Sequence, residues 1–165
     1  MLDTTDRTIV NVLQREGRIT NAELADRVNL SPSACLRRVR ALEEAGVITG
    51  YAALVDPSSI GRATSVFVEI SLHSQEESAL DAFEAAVVEH PAVLSCHLMA
   101  GDADYLVHVG CGDVADFEQL HRTHLAQLPG VSRIRSSFAL RTVVDRIGYD
   151  LGSGPDVPDG GTSRP

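Results

Sequence analysis

TNAELADRVNLSPSACLRRVRALEEAG, residues 20–46, decides the fold of the first third of this chain. Thr20-Asn21-Ala22-Glu23 reads as a capping box, in which Thr20 and Glu23 satisfy each other's free amides and start a short helix ending near Val28. Asn29-Leu30 breaks it. Ser31 is then a good N-cap and Pro32 stands at the first helical position, where a missing N–H costs nothing, so a third helix is expected to run to about Ala45, before Gly46. Cys35, Val39 and Leu42 recur at helical spacing and point inward; Ser33, Ala34, Leu36, Arg37 and Arg40 take the flanks and the opposite face.

Upstream, Asp3 to Glu16 carries the stripe Ile9, Val12 and Leu13 and stops at Gly17, which makes a first helix. Three short helices, the last two joined by a tight turn, match the helix-turn-helix, whose final helix enters the major groove of duplex DNA. Arginine offers a bidentate fork for guanine or phosphate, and small residues such as Ser33 and Ala34 let a helix approach base edges. The residues expected to touch DNA are Thr20, Asn21, Ser31, Ser33, Ala34, Arg37, Arg38 and Arg40. A generic three-helix bundle with a solvated arginine face is the alternative, and Arg38, beside the core seam, can instead pair with Glu43 or another acid. Val47 to Val55 is β-rich and broken by Gly50, as a wing strand running into a connection would be, and Asp56-Pro57-Ser58-Ser59-Ile60-Gly61 ends it. A winged helix-turn-helix over residues 1–61 follows.

The net charge of -9 is unusual for a nucleic-acid binder until it is divided by region. Residues 1–61 hold seven arginines against eight acids; residues 62–165 hold seven against fifteen, so nearly all the excess acid lies in the second part. Arg37, Arg38 and Arg40 still form a local basic stripe, which is what phosphate contact needs. The chain has no lysine. With 165 residues, 44% of them hydrophobic, it can bury one ordinary core or two small ones. No apolar run approaches the roughly 18 residues of a membrane span, and Met1-Leu2-Asp3-Thr4-Thr5-Asp6 is unlike a signal peptide, so a cytoplasmic protein without membrane partners is expected. Cys35, Cys96 and Cys111 have no ligand spacing and read as small buried hydrophobes. Nucleophile triads, phosphate loops and HExxH are missing, so neither catalytic nor metal residues are assigned and no cofactor is expected.

In the second part, Ser65 to Leu72 is a strand with Val66, Val68, Ile70 and Leu72 on one face. A helix from about Gln75 to Glu89 follows, with Leu80, Phe83 and Val87 as its stripe; Val93 to Met99 and Tyr105 to Cys111 then flank a turn at Gly101 as a hairpin. Val114, Phe117, Leu125 and Leu128 mark another helix, and Val131 to Val144 alternates as a last strand. The order βαββαβ is ferredoxin-like, making the chain α+β with residues 62–150 as a second domain. Both helices then lie on one face of the sheet. By alternation Phe67, Tyr105, Val107, Val109, Ala139 and Val143 fall on the other, and a second copy related by two-fold symmetry is the simplest cover for them. Residues 151–165, rich in Gly, Pro and Asp, are expected to be a disordered tail.

The Gly101 turn sets exposed backbone amides beside Asp102 and Asp104. It reads either as a site for both ends of a zwitterionic amino acid, or as a plain hairpin turn in which Asp102 caps its own backbone. His121 and His124, three apart on one helix, read either as a half-buried pair filling space or as part of a metal site lacking a third ligand. His97 and His108, in neighbouring strands, can meet.

Leu2-Asp3, Asp6-Arg7, Gly17-Arg18, Glu23-Leu24-Ala25, Leu30-Ser31, Arg38-Val39, Leu42-Glu43 and Gly46-Val47-Ile48-Thr49-Gly50-Tyr51 together resemble the Lrp/AsnC (leucine-responsive/asparagine-type, feast/famine) regulators. The resemblance continues through Gly101-Asp102-Ala103-Asp104-Tyr105-Leu106 and Leu128-Pro129-Gly130-Val131 to about residue 147, departing at Ala103, where the family commonly has a larger, often aromatic residue. It implies a sequence-specific transcriptional regulator of operator DNA, not an enzyme, that responds to an amino acid or related small effector bound between dimers. The implied effector residues are Met99, Gly101, Asp102, Asp104, Ile134, Ser136, Ser137 and Phe138, and the implied assembly is a homodimer extending to an octamer. Two readings compete. The two-part fold also resembles tetrapyrrole (sirohaem) decarboxylases, against which Arg37 and Arg40 argue, and an effector-independent architectural protein would differ only in having no ligand response.

Overall fold

A computed structural model of the chain describes residues 2–146 and 148–152. Their contacts divide into two compact units: residues 54–143 form one, and residues up to Ala53 together with those from Val144 onward form the other.

In the N-terminal unit, α1 (Thr4–Arg15) starts where the Asp3 carboxylate accepts the Asp6 amide at 2.8 Å. The capping box opens α2 (Asn21–Arg27): Thr20 Oγ1 accepts from the Glu23 amide, and the Glu23 carboxylate accepts from the Thr20 amide at 2.9 Å. Asn29, with φ 53°, supplies the left-handed residue that turns the chain, and Ser31 caps α3 (Pro32–Glu44). Ile9, Val12, Leu24, Ala25, Cys35 and Leu42 close the core of this unit.

The strand expected within residues 47–55 does not form. Within one chain this stretch has no ladder partner, and Tyr51, Leu54 and Val55 are exposed. The second domain was expected over 62–150, but residues 148–152 belong with α1. Gln14 Nε2 donates to the Tyr149 carbonyl at 3.1 Å and Gln14 Oε1 accepts the Tyr149 amide at 2.8 Å, while Arg7 donates to the Leu151 carbonyl and Leu151 packs on the N-terminal core. Of the expected disordered tail, residues 153–165 lie outside the described residues.

The C-terminal unit is β1 (Thr64–Leu72), α4 (Glu77–Val87), β2 (Val93–Leu98), β3 (Tyr105–Cys111), α5 (Val114–Thr123) and β4 (Val131–Phe138), with short 3-10 helices at Pro57–Ile60 and Leu125–Gln127. The sheet runs β2-β3-β1-β4 and every neighbouring pair is antiparallel, which is the ferredoxin-like arrangement. β4 ends at Phe138 rather than Val144: it pairs only with β1, where Phe138 lies opposite Val66, and just two residues of β1 remain beyond that point, the Ala139 amide donating to the Ser65 carbonyl at 2.9 Å.

Register corrects the assignment of faces. Val107 lies opposite Val68, Val109 opposite Val66 and Tyr105 opposite Ile70, so all three share the β1 face that Phe83, Val87, Phe117 and Leu120 cover, and each is at most 1% exposed. The Tyr105 hydroxyl donates to Glu84 at 2.8 Å and its ring tilts against Phe83. Of the six residues expected on the uncovered face, Phe67 alone occupies it from within a strand, together with Ser65, Glu69, Leu106, His108, Arg135 and Ser137. Ala139 and Val143 follow the last strand, and Val143 is exposed. Cys35 and Cys111 are buried, Cys96 is half-buried, and all three are free.

Gln14→Ala removes both bonds to Tyr149, so urea unfolding followed by circular dichroism should show the N-terminal unit weakened by about 1–2 kcal/mol.

Candidate functional sites

The N-terminal unit presents α3. Ser33, Leu36, Arg37 and Arg40 are exposed along it, Ala34 is half-buried on the flank, and Cys35 and Leu42 face the core. Other side chains expected at DNA are spent on building the motif. Thr20 and Ser31 are caps, and Asn21 Nδ2 donates to the Pro32 carbonyl at 2.9 Å, tying the start of α2 to the start of α3. Arg38 turns inward, though its partner is not Glu43: one guanidinium nitrogen lies 2.7 Å from Asp3 Oδ2 and 2.7 Å from Asp6 Oδ1, fastening the recognition helix to α1. Glu43 instead accepts from the Tyr51 hydroxyl at 2.9 Å. A second brace joins Arg27 to Glu16 through two guanidinium nitrogens.

The C-terminal unit has an open cleft of about 540 Å³ where the turn between β2 and β3 meets the uncovered ends of β1 and β4. Of the expected effector residues Met99, Gly101 and Asp102 line it, and so do Glu69, Ser71, Arg133 and Arg135, which the sequence reading passed over. Their gathering follows from register, since Glu69 lies opposite Arg135 and Ser71 opposite Arg133. Arg135 sits 3.7 Å from Glu69, and Arg133 reaches the Ser71 hydroxyl at 3.5 Å. Among the described residues neither Arg133 nor Asp102 has an ion-pair partner.

Five expected effector residues are placed elsewhere. Asp104 is committed to the fold, since its two oxygens accept the Leu72 amide at 2.7 Å and Gln75 Nε2 at 2.6 Å. The Leu72 amide lies past the start of β3 and needs that acceptor. Ile134, Ser136 and Phe138 lie opposite Ile70, Val68 and Val66 and therefore face the helices; Phe138 meets Phe117 edge-on with ring centroids 5.2 Å apart. Ser137, opposite Phe67, is on the uncovered face but does not line the cleft. The missed pair was findable, because two arginines at alternate positions of an edge strand must share one face.

The histidines separate into packing roles. His124 tilts against His90 with centroids 4.6 Å apart, His121 sits against Phe117, and His108 stacks on Phe67 while sharing a 2.7 Å hydrogen bond with Ser65. His97 lies opposite Leu106 and does not meet His108.

Comparison with known proteins agrees with this layout. The model for the winged helix-turn-helix DNA-binding domain matches residues 2–49, and that for the Lrp/AsnC ligand-binding domain matches residues 65–149. The leucine-responsive regulatory protein of Escherichia coli K12 is 42% identical over 142 residues, covering 86% of this chain and 87% of that protein. The chain belongs to the Lrp/AsnC family of transcriptional regulators. An uncharacterized HTH-type transcriptional regulator of Sinorhizobium fredii is 50% identical over 117 residues, 71% of this chain and 92% of its own. Among solved structures, a Neisseria meningitidis transcriptional regulator in complex with L-Met superposes with a TM-score of 0.84 at 40% identity, covering 88% of this chain and 94% of that one. An AsnC family regulator from Agrobacterium tumefaciens gives 0.85 at 32% identity, covering 90% and 96%. As a family member, the chain carries a DNA-binding winged helix-turn-helix followed by a ferredoxin-like ligand-binding domain.

Arg38→Ala should lower the thermal stability of the N-terminal unit and leave the salt dependence of DNA binding unchanged; a flattened salt slope would return Arg38 to the DNA face. Acid should weaken the two units in different windows. Burial holds His124 and His108 below the ordinary 6.5, with His90 adding to the effect at His124. The unfolded chain then binds more protons, so the C-terminal unit loses stability as pH falls from about 6.5. In the N-terminal unit the Asp6 amide and Arg38 hold Asp3 below 3.8, while Arg27 holds Glu16, and the Thr20 hydroxyl holds Glu23, below 4.5. Its stability from these groups is intact above their ordinary values and is lost below about pH 4.5. Amide exchange at β3 and α1 across this pH range checks the order.

Proposed function

We propose that this regulator takes an amino acid or a closely related zwitterion in the cleft beside Gly101 and that occupancy alters its affinity for operator DNA. The observation that carries the reading is that Arg133 and Asp102, neither of them in an ion pair among the described residues, line one cleft, one charge suited to a carboxylate and the other to an ammonium. Gly101 supports it. Its φ is not positive and a Cβ there would meet nothing within 4 Å, so the fold does not require glycine, whereas close approach of a ligand to the turn's backbone does. The chain is read as a regulator without enzymatic activity, acting in the cytoplasm where its operator lies.

DNA contact is assigned to Ser33, Arg37 and Arg40, with Thr20, Asn21 and Ser31 shaping the motif behind them. A single short helix with two outward arginines binds weakly, so a homodimer presenting two half-sites is the working unit. Half-exposed Phe67 on the uncovered sheet face, and exposed Leu54 and Leu140 in segments without ladder partners among the described residues, are surfaces for the second copy. Assembly of such dimers to an octamer would bring clefts together, and a ligand preferring one assembly state would couple occupancy to DNA affinity.

A thermal-shift screen of the twenty amino acids tests the effector. A binding amino acid at 100 times its dissociation constant adds about 2.7 kcal/mol of stability, and Arg133→Ala should abolish that gain while leaving DNA affinity without ligand unchanged. A full shift in Arg133→Ala would move the site away from this cleft. Arg37→Ala should weaken operator binding and reduce the slope of log affinity against log salt by about one for each subunit.

A further inference from the structure

We propose that Leu36 reads the C5-methyl group of a thymine in the operator, so that one base of each half-site is recognised by apolar contact. The inference rests on α3 being the helix that enters the major groove. Ser33, Leu36, Arg37 and Arg40 stand at i, i+3, i+4 and i+7 and form one face, while Cys35 and Leu42, 0% and 4% exposed, form the other. Leu36 is 40% exposed and is not among the side chains packed on the N-terminal core. It is the fifth residue of α3, in the half of a recognition helix that reaches base edges.

The surroundings identify the occupant. Among the described residues Arg37 and Arg40 make no ion pair, so the exposed Leu36 side chain stands beside free cations and a serine hydroxyl on its face of the helix. A protein partner would call for a contiguous apolar patch. The floor of the major groove presents hydrogen-bonding edges and a single kind of apolar group, the thymine methyl, while the adjoining phosphates and guanines suit the arginines. An apolar side chain with cations on either side fits that surface and leaves no buried polar atom unpaired.

The test begins with selection of an operator from random duplex DNA by the full chain, after which each thymine is replaced in turn by deoxyuridine, a change that removes only the methyl. At one thymine of each half-site the replacement should weaken wild-type binding about fourfold, the worth of one methyl kept from water. The same replacement should change binding by Leu36→Ala less than about 1.5-fold, because alanine does not reach the methyl. Leu36→Ala keeps the helix, since the position is exposed and alanine favours helix, and Leu36→Gln serves as a second variant with the same expected indifference. Arg37→Ala should bind more weakly yet retain the deoxyuridine penalty. The proposal is overturned alone if no thymine distinguishes wild type from both Leu36 variants. If selection enriches no sequence, it falls together with the reading of α3 as a base-reading helix.

Discussion

Everything in the C-terminal unit depends on the register of β1 with its two neighbours. Val66, Val68, Ile70 and Leu72 point to the helices, and each antiparallel partner directly opposite must point the same way. That single constraint buries Tyr105, Val107 and Val109, turns Ile134, Ser136 and Phe138 inward, and leaves Glu69, Ser71, Arg133 and Arg135 together on the uncovered side. Slipping β4 by one residue would carry its arginines into the core and expose Ile134 and Phe138, exchanging a favourable burial for a buried charge.

The N-terminal unit obeys a different constraint, the supply of partners for helix ends and charges. Asp3, Thr20 and Ser31 satisfy amides that begin α1, α2 and α3, and Asp3 is used again, with Asp6, to hold Arg38. These commitments leave Leu36, Arg37 and Arg40 exposed on α3 with no side-chain hydrogen bond among the described residues, and they belong to the DNA face proposed above. The acidic balance of the chain does not oppose this, because the local field at the helix, rather than the total charge, meets the phosphates first.

Legibility in the sequence followed the range of the interactions. The three helices of the motif, their caps and the βαββαβ order were readable because capping and periodicity act within a few residues, and the ends of α2 and α3 fell within a residue or so of expectation. Residues 47–55 and 139–144 looked like strands and are not, since strand propensity forms nothing without a neighbour to accept its hydrogen bonds. Asp104 looked available to a ligand until the Leu72 amide, at the end of β1, and the Gln75 side chain claimed its two oxygens.

The sequence by itself determined the family, the two-part architecture, the inward and outward faces of α3 and the position of the turn at Gly101, because these rest on local pattern. Tertiary structure alone decided that Arg38 serves α1, that residues 148–152 return to Gln14, and that Arg133 and Arg135 share a cleft with Met99 and Asp102. Each of these joins residues separated by about thirty positions or more. Only pairing register and core closure bring such residues together, and both are settled by the free energy of the folded unit as a whole rather than by any one segment of it.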